Sequence, residues 1–284
     1  MVFPENTGPH LSLDEVSVTN GELYTVLTNK ERHGKKGCLV AIVRGTKSEE
    51  VIAAINRIPL RKRETVRTVT RDLDDSMVRI ASACFPHAEQ IDDRFHVQQL
   101  VSDALQEIRV ALRKGAIQEH NTKVREARER GGHYWAPRYE NGDTLKELLA
   151  RAKYVLHKSS GNWTESQRQR AGILFREFPL LQDAYEITMH LRGIYEHAKD
   201  PEDARVRLHR WYESVEERIE IFPNFETPMQ TIRLHEDTIV HYFTSHMTNA
   251  SAESFNAKIK NFRALQRGVS DIPFFLYRLS MIYG

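Results

Sequence analysis

Apolar and polar residues alternate with a period near two along the first third of the chain. Beyond about Phe95, apolar residues recur every three or four positions. The first spacing is that of half-buried strands and the second that of amphipathic helices. LSLDEVSVT (Leu11 to Thr19) reads as a strand, Asn20-Gly21 as a hairpin turn, and ELYTVLT (Glu22 to Thr28) as the returning strand. A polar segment, NKERHGKKG, leads into a third strand, CLVAIVRG (Cys38 to Gly45), which completes an antiparallel meander. SEEVIAAINRI (Ser48 to Ile58) has a helical pattern, and TVRTVT (Thr65 to Thr70) is a fourth strand ending at Arg71-Asp72. A helix from about Asp74 to Cys84 and a short fifth strand, AEQIDD, follow. This order predicts a mixed α/β sheet of five strands with helices packed on it.

From Phe95 to Met247 strand signals nearly vanish. Helices are predicted over Gln98 to Arg130, over Asp143 to Lys158, on both sides of Pro179, and over Arg205 to Ile221. A last polar-capped pattern, NASAESFNAKIKNFRALQRG (Asn249 to Gly268), places Phe255, Ile259 and Phe262 on one side. Glu253, Asn256, Lys260, Arg263 and Arg267 lie on another. The expected organisation is a first core segment over 1–97, a helical insertion over 98–247, and a return to the core over 248–284.

Charge narrows the reading only slightly. A formal net charge of +2 over 284 residues does not by itself argue for nucleic acid, so any such argument must come from local clusters. The two cysteines, Cys38 and Cys84, lack metal-ligand spacing and read as buried thiols in a reducing compartment. No apolar run is long enough to span a bilayer, and MVFPENTGPH has no signal-peptide pattern, so the expected location is cytoplasmic, with no membrane partner. HEDTIVH (His235 to His241) has the wrong spacing for a zinc helix. HGKKG (His33 to Gly37) lacks the glycine spacing of a phosphate loop and reads as a basic hairpin tip.

The informative chemistry lies in the acids. Leu11 and Leu13 share one face of the first strand and Val16 and Val18 the other, and Asp14 falls where the pattern changes. A carboxylate there is costly to bury unless it is paired, hydrogen-bonded or metal-bound. Asp72 ends the fourth strand, where α/β sheets commonly hold ligands; it could also cap the next helix, as could Asp74 or Asp75. With Glu253 these make an all-oxygen set suited to two Mg²⁺ or Mn²⁺ ions. Arg71, immediately before Asp72, is placed to pair with that acid.

The order strand-Asp, strand-end Asp, helical insertion, helix-Glu resembles the RNase H-like DDE transposases, specifically the insertion-sequence ISL-three family. LDE at Leu13 to Glu15, VTRDL at Val69 to Leu73, FPHAEQIDDRFHV at Phe85 to Val97 and NASAESFNAKIK at Asn249 to Lys260 carry the resemblance, which extends to the closing FFLYRLSMIY. The resemblance implies that Asp14, Asp72 and Glu253 are the catalytic, metal-holding acids, and that Asp93 and His96 support them in a D-x-x-H motif. Ser254 stands where the family usually has glycine. The cations of the last helix, Lys258, Lys260, Arg263 and Arg267, with Asn256, are expected to contact DNA. Trp163, in a stretch with Lys158, Arg168 and Arg170, is expected to stack on an unpaired base.

The implied activity is metal-dependent hydrolysis and strand transfer at insertion-element ends. The implied partners are DNA, a second copy in a homodimeric synaptic complex, and a separate DNA-binding subunit, because no zinc-ribbon or helix-turn-helix module precedes Leu11. Two alternatives stay open: a non-catalytic DNA-binding or assembly remnant, and an RNase H-like nuclease without strand transfer.

Overall fold

The computed structural model describes every residue except Asn20, 266–268 and Ser270, so the Asn20 half of the hairpin signal, the Gly268 stop and Arg267 lie outside the described residues. The chain divides into two compact units. One comprises Met1–Val97, Asp200–Glu202 and His235–Gly284; the other comprises Gln98–Lys199 and Asp203–Leu234.

The first unit is built on β1 (His10–Thr19), β2 (Glu22–Asn29), β3 (Leu39–Arg44), β4 (Thr68–Arg71) and β5 (Glu89–Asp92). Their order across the sheet is β3-β2-β1-β4-β5. β1, β2 and β3 form the antiparallel meander, while β4 pairs parallel to β1 and β5 parallel to β4. This is the RNase H-like mixed sheet that the strand pattern and the resemblance led us to expect. Two helices are α1 (Ser48–Ile55) and the short α2 (Leu60–Arg63); α3 (Asp75–Cys84) follows β4, and α4 (Arg94–Glu129) follows β5.

The second unit is helical. Its elements after α4 are α5 (Leu145–Arg151), α6 (Lys153–Leu156), α7 (Glu165–Glu177), α8 (Pro179–His197), α9 (Pro201–Glu216) and α10 (Glu226–Leu234). Where one helix was expected to start at Asp143, α5 instead begins after a Thr144–Glu147 capping box. Asp143 is buried and committed to Arg151 and Arg170, which removes it from the helix start. The chain returns to the first unit through α11 (Glu236–Val240), α12 (Tyr242–Ser245), α13 (Ala250–Leu265) and α14 (Ile272–Tyr283).

Alternation along β1 sorts the two cores. Leu11 and Leu13 pack with Val51, Ile55, Met77 and Ile80 of α1 and α3. Val16 and Val18 pack on the other face with Phe255 and Ile259 of α13 and Phe275 and Leu279 of α14. Each such side chain, fully buried, contributes about 1.5–3 kcal/mol, so α13 is held on the sheet as a core layer.

At the ends of β4 and β5, Arg71 and Asp92 form an ion pair that is 1% and 0% exposed. Arg71 also donates to Gln90 Oε1 at 2.7 Å and to the Asp72 carbonyl at 2.9 Å, and Thr238 donates to the second Asp92 oxygen. The guanidinium is therefore spent on Asp92, and the expectation that Arg71 pairs the Asp72 carboxylate is corrected: strand alternation sends neighbouring side chains to opposite faces. Breaking a buried pair leaves an uncompensated charge. Asp92→Ala should lower unfolding free energy by about 3–5 kcal/mol in a urea titration; a change below about 1 kcal/mol would show that the pair is not structural.

Candidate functional site

Three strands bring acids to one level. The β1–β4 register pairs Ser12 with Thr70, and the same register continued two residues sets Asp14 level with Asp72. Arg71 pairs Asp92 across β4–β5, so Asp93 follows level with Asp72, and its backbone N–H donates to the Arg71 carbonyl at 2.8 Å. The helix after β4 is capped by Asp74, whose side chain accepts from the Ser76 amide at 2.8 Å. That leaves the Asp72 carboxylate free of the capping role.

Each acid of the strands is positioned by a donor. Asp14, 8% exposed, accepts from the Glu15 amide at 2.7 Å and from Asn256 Nδ2 at 2.8 Å. Asp72 Oδ1 faces His96 Nε2 at 3.0 Å and Asn249 Nδ2 at 3.3 Å. Asp93 is fully buried; Oδ1 accepts from the Asn249 amide at 3.0 Å, and Oδ2 has no hydrogen-bond partner among the described residues. Glu253 is exposed on the first turns of α13, and among the described residues its carboxylate makes no hydrogen bond or ion pair, so its side chain is free to rotate.

Asn249 is the hub that the sequence pattern undervalued as a mere helix cap. Besides Asp72 and Asp93, it donates to the Leu13 carbonyl at 3.4 Å and accepts from Ser12 Oγ at 2.7 Å, with no exposed surface of its own. It thus ties β1, the end of β4, the start of α4 and the start of α13 together. Lys30 is a second residue that sequence reasoning missed. Its ammonium donates to Thr70 Oγ1 at 2.7 Å and the Thr248 carbonyl at 2.8 Å, and burial lowers its pKa to about 8 against the opposing charge of Asp93. Both bonds are long-range, so nothing local in NKERHGKKG announces them.

The cluster is electrostatically loaded. Burial, and then the charge of Asp72, push the Asp14 carboxyl up to about 7. Burial raises Asp93, and burial together with the charge of Asp93 raises Glu253. The hydrogen bond to Asp72 raises His96 to about 9. Among the described residues no three His, Cys, Asp or Glu side chains stand close enough to form a ready-made metal-binding group. The donor chemistry nevertheless fits a hard divalent cation: carboxylate oxygens predominate, two buried oxygens, Asp93 Oδ2 and Asn256 Oδ1, lack any partner among the described residues, and the charge of Asp72 raises the pKa of Asp14.

The remaining expected DNA-binding residues divide. Asn256 is turned inward onto Asp14, and Lys258 donates to the Gly34 carbonyl at 2.9 Å. Lys260 is exposed and Arg263 half-buried, and Arg267 lies outside the described residues. Trp163 belongs to the helical unit; its indole donates to the Val155 carbonyl at 2.9 Å and packs against Tyr185 and Phe175. Arg170, from the same stretch, is committed to Asp143.

The site geometry sets two expected outcomes. In metal-free protein the raised Asp14 disfavours the folded state progressively as pH climbs from 3.8 to about 7, and the His96 contribution, complete below 6.5, is lost as pH passes about 9. Both shifts have the same sign, and the lowered Lys30 acts in the opposite direction only as pH passes about 8, so the melting temperature measured in EDTA should fall between pH 5 and 8. Asp14→Asn should flatten the part below pH 7, and an unchanged profile in that variant would exclude the coupling. Asn249→Ala should cost about 1–3 kcal/mol for each buried group it orphans, as read from chemical denaturation.

Residues 11–279 match the family model of the ISL-three DDE transposases, described as "Transposase". The chain is 25% identical over 251 residues to "Transposase for insertion sequence element IS1557" from two strains of Mycobacterium tuberculosis. That match covers 88% of this chain and 54% of the relatives, so the chain spans about half the length of the curated relatives it matches. With nearly the whole sequence matched to the family, this chain belongs to the ISL-three DDE transposases.

Proposed function

We propose that this chain is the catalytic part of a DNA transposase, which hydrolyses phosphodiesters at insertion-element ends and transfers the freed strand to target DNA. The observation carrying this reading is the level placement of Asp14, Asp72 and Asp93 on three adjacent strands, with charge that the protein's own donors leave incompletely compensated, and with Glu253 on the first turns of α13 raised by the charge of Asp93. In this reading Asp14, Asp72 and Glu253 hold two divalent cations, Mg²⁺ or Mn²⁺. Such ions supply Lewis acidity to the scissile phosphate and favour deprotonation of the attacking hydroxyl.

The chain's own residues set the stage for that chemistry. Asn256 and the Glu15 amide fix the Asp14 oxygens, and Asn249 fixes Asp72 and Asp93 together. Glu253 swings from solvent to close the set. His96, hydrogen-bonded to Asp72, is within reach to hold a phosphate oxygen once the acid engages a cation. Lys260 and Arg263 hold the DNA backbone along α13. Strand transfer requires both element ends together, so the working form is a homodimer in a synaptic complex, with a separate DNA-binding subunit as its expected companion. The identity of the relatives, named as transposases for an insertion sequence element, supports element ends as the substrate class.

Nicking of supercoiled plasmid in Mn²⁺ tests the assignment. Asp14→Asn, Asp72→Asn and Glu253→Gln should each reduce nicking by more than about a hundredfold. Asn249→Ala and Asn256→Ala should reduce it by about 10–100-fold, as expected for residues that orient metal ligands. Wild-type nicking in all three acid variants would reject the site. Nicking without joining of a labelled 3′-hydroxyl end to target DNA would leave a nuclease.

A further inference from the structure

The segment Lys30 to Gly37, which contains the basic hairpin tip, carries Lys30, Arg32, Lys35 and Lys36 against one carboxylate, Glu31. Its excess of positive charge is larger than the +2 of the whole chain. Three of its cations are exposed and unpaired among the described residues. Positive side chains of the helical unit are repeatedly neutralised by acids, as in Arg176 with Glu140 and Glu177, Arg207 with Asp203, and Arg233 with Glu216. Arg32, Lys35 and Lys36 are exposed, and among the described residues none of them forms an ion pair.

The segment is also built rather than loose. The His33 and Lys35 amides donate to the Lys30 and Arg32 carbonyls at 3.1 and 2.9 Å, and the Cys38 amide donates to the Lys35 carbonyl at 3.0 Å. The Gly37 amide donates to the Tyr283 carbonyl at 3.0 Å, fastening the segment to the end of α14. Gly34 adopts φ +69°, a conformation that L side chains rarely take, and its carbonyl receives Lys258 Nζ at 2.9 Å. With the backbone of the segment fixed, only the side chains of its cations lose conformational freedom when an anion binds.

Its position joins it to the acid cluster. Lys30, the first residue of the segment, has its ammonium against Thr70 and Thr248 and feels the charge of Asp93. Lys258, which anchors the tip, is five residues beyond Glu253 on α13, about 7.5 Å along the axis at 1.5 Å per residue. We infer that the Arg32, Lys35 and Lys36 side chains form a binding surface for backbone phosphates of duplex DNA, holding the strand that flanks the scissile phosphodiester. Recognition is by charge spacing, without base-edge readout. This rests on the proposed DNA substrate and assigns it a specific docking surface.

Fluorescence anisotropy with a labelled 30-base-pair duplex of arbitrary sequence, in EDTA, tests the surface apart from catalysis. Lys35→Glu with Lys36→Glu should weaken binding at least about tenfold and reduce the slope of log Kd against log salt by about 2, one for each phosphate no longer neutralised. Lys35→Arg with Lys36→Arg should bind as wild type does. Arg57→Glu with Arg61→Glu changes net charge equally at exposed positions around α2, and should weaken binding by less than about threefold. Melting curves verify that the variants are folded, and among the described residues neither lysine side chain takes part in the hydrogen-bond network. If the lysine pair binds like wild type, or weakens no more than the arginine control, the surface is wrong while the DNA substrate stands. If wild-type protein binds no duplex at all, the DNA substrate and the surface fall together.

Discussion

Gathering carboxylates of like charge at one level of three adjacent strands is the constraint around which the first unit is arranged. Asp14, Asp72 and Asp93 approach one another because the parallel registers of β1, β4 and β5 leave them no choice. Burial removes the water that would screen them, and the unfavourable balance appears as the upward shifts of Asp14 and Asp93. The protein answers with directed donors, two asparagine amides and an imidazole, and with the half-buried Lys30 ammonium, which feels the charge of Asp93 while donating to Thr70 and Thr248. Just behind them, Arg71 neutralises Asp92, so the strand ends carry one acid that is fully satisfied and others that are not. That contrast between neighbouring acids separates scaffold from site.

Helix α13 couples the two requirements. Phe255 and Ile259 bury it against Val16, Val18 and Tyr24, while Asn249 at its start and Asn256 within it hold the acids of the strands. Glu253 therefore sits on an element fixed by a hydrophobic core, although its own carboxylate remains free to turn. The rigid part of the site is the strand acids and the asparagines; the adaptable part is one glutamate side chain. A site that must close around substrate and cations is well served by such a division. The same helix receives the basic segment through Lys258, so core packing, acid placement and phosphate-binding surface share one support.

Much of the sheet was legible because its information is local. Period-two alternation marked the strands, and the Leu11/Leu13 and Val16/Val18 split along β1 predicted the two cores that the structure contains. The acids Asp14 and Asp72 could be picked out because a carboxylate within or ending a buried strand breaks an otherwise apolar pattern. Side-chain partners were not legible. Asn249 reads as an ordinary helix cap, yet it bonds residues more than 150 positions away. Arg71 stands beside Asp72 in sequence and is paired to Asp92, because alternation along β4 outweighs adjacency. Trp163 lies in a basic stretch that suggested stacking on an unpaired base, and its packing on Tyr185 and Phe175 depends on two later helices.

The sequence by itself determined the strands and helices, the break in pattern at Asp14, and the blocks by which the family is known, since all of these are written in periodicity and short spacing. Only the tertiary structure decided which donor holds which acid, and that Asn256 and Lys258 turn inward while Lys260 remains at the surface. It also showed that the backbone of the basic hairpin tip is anchored on α13 and α14. The physical reason is the same throughout: hydrophobic pattern specifies faces, whereas hydrogen bonds and ion pairs depend on distances of about 3 Å that only the assembled chain can set.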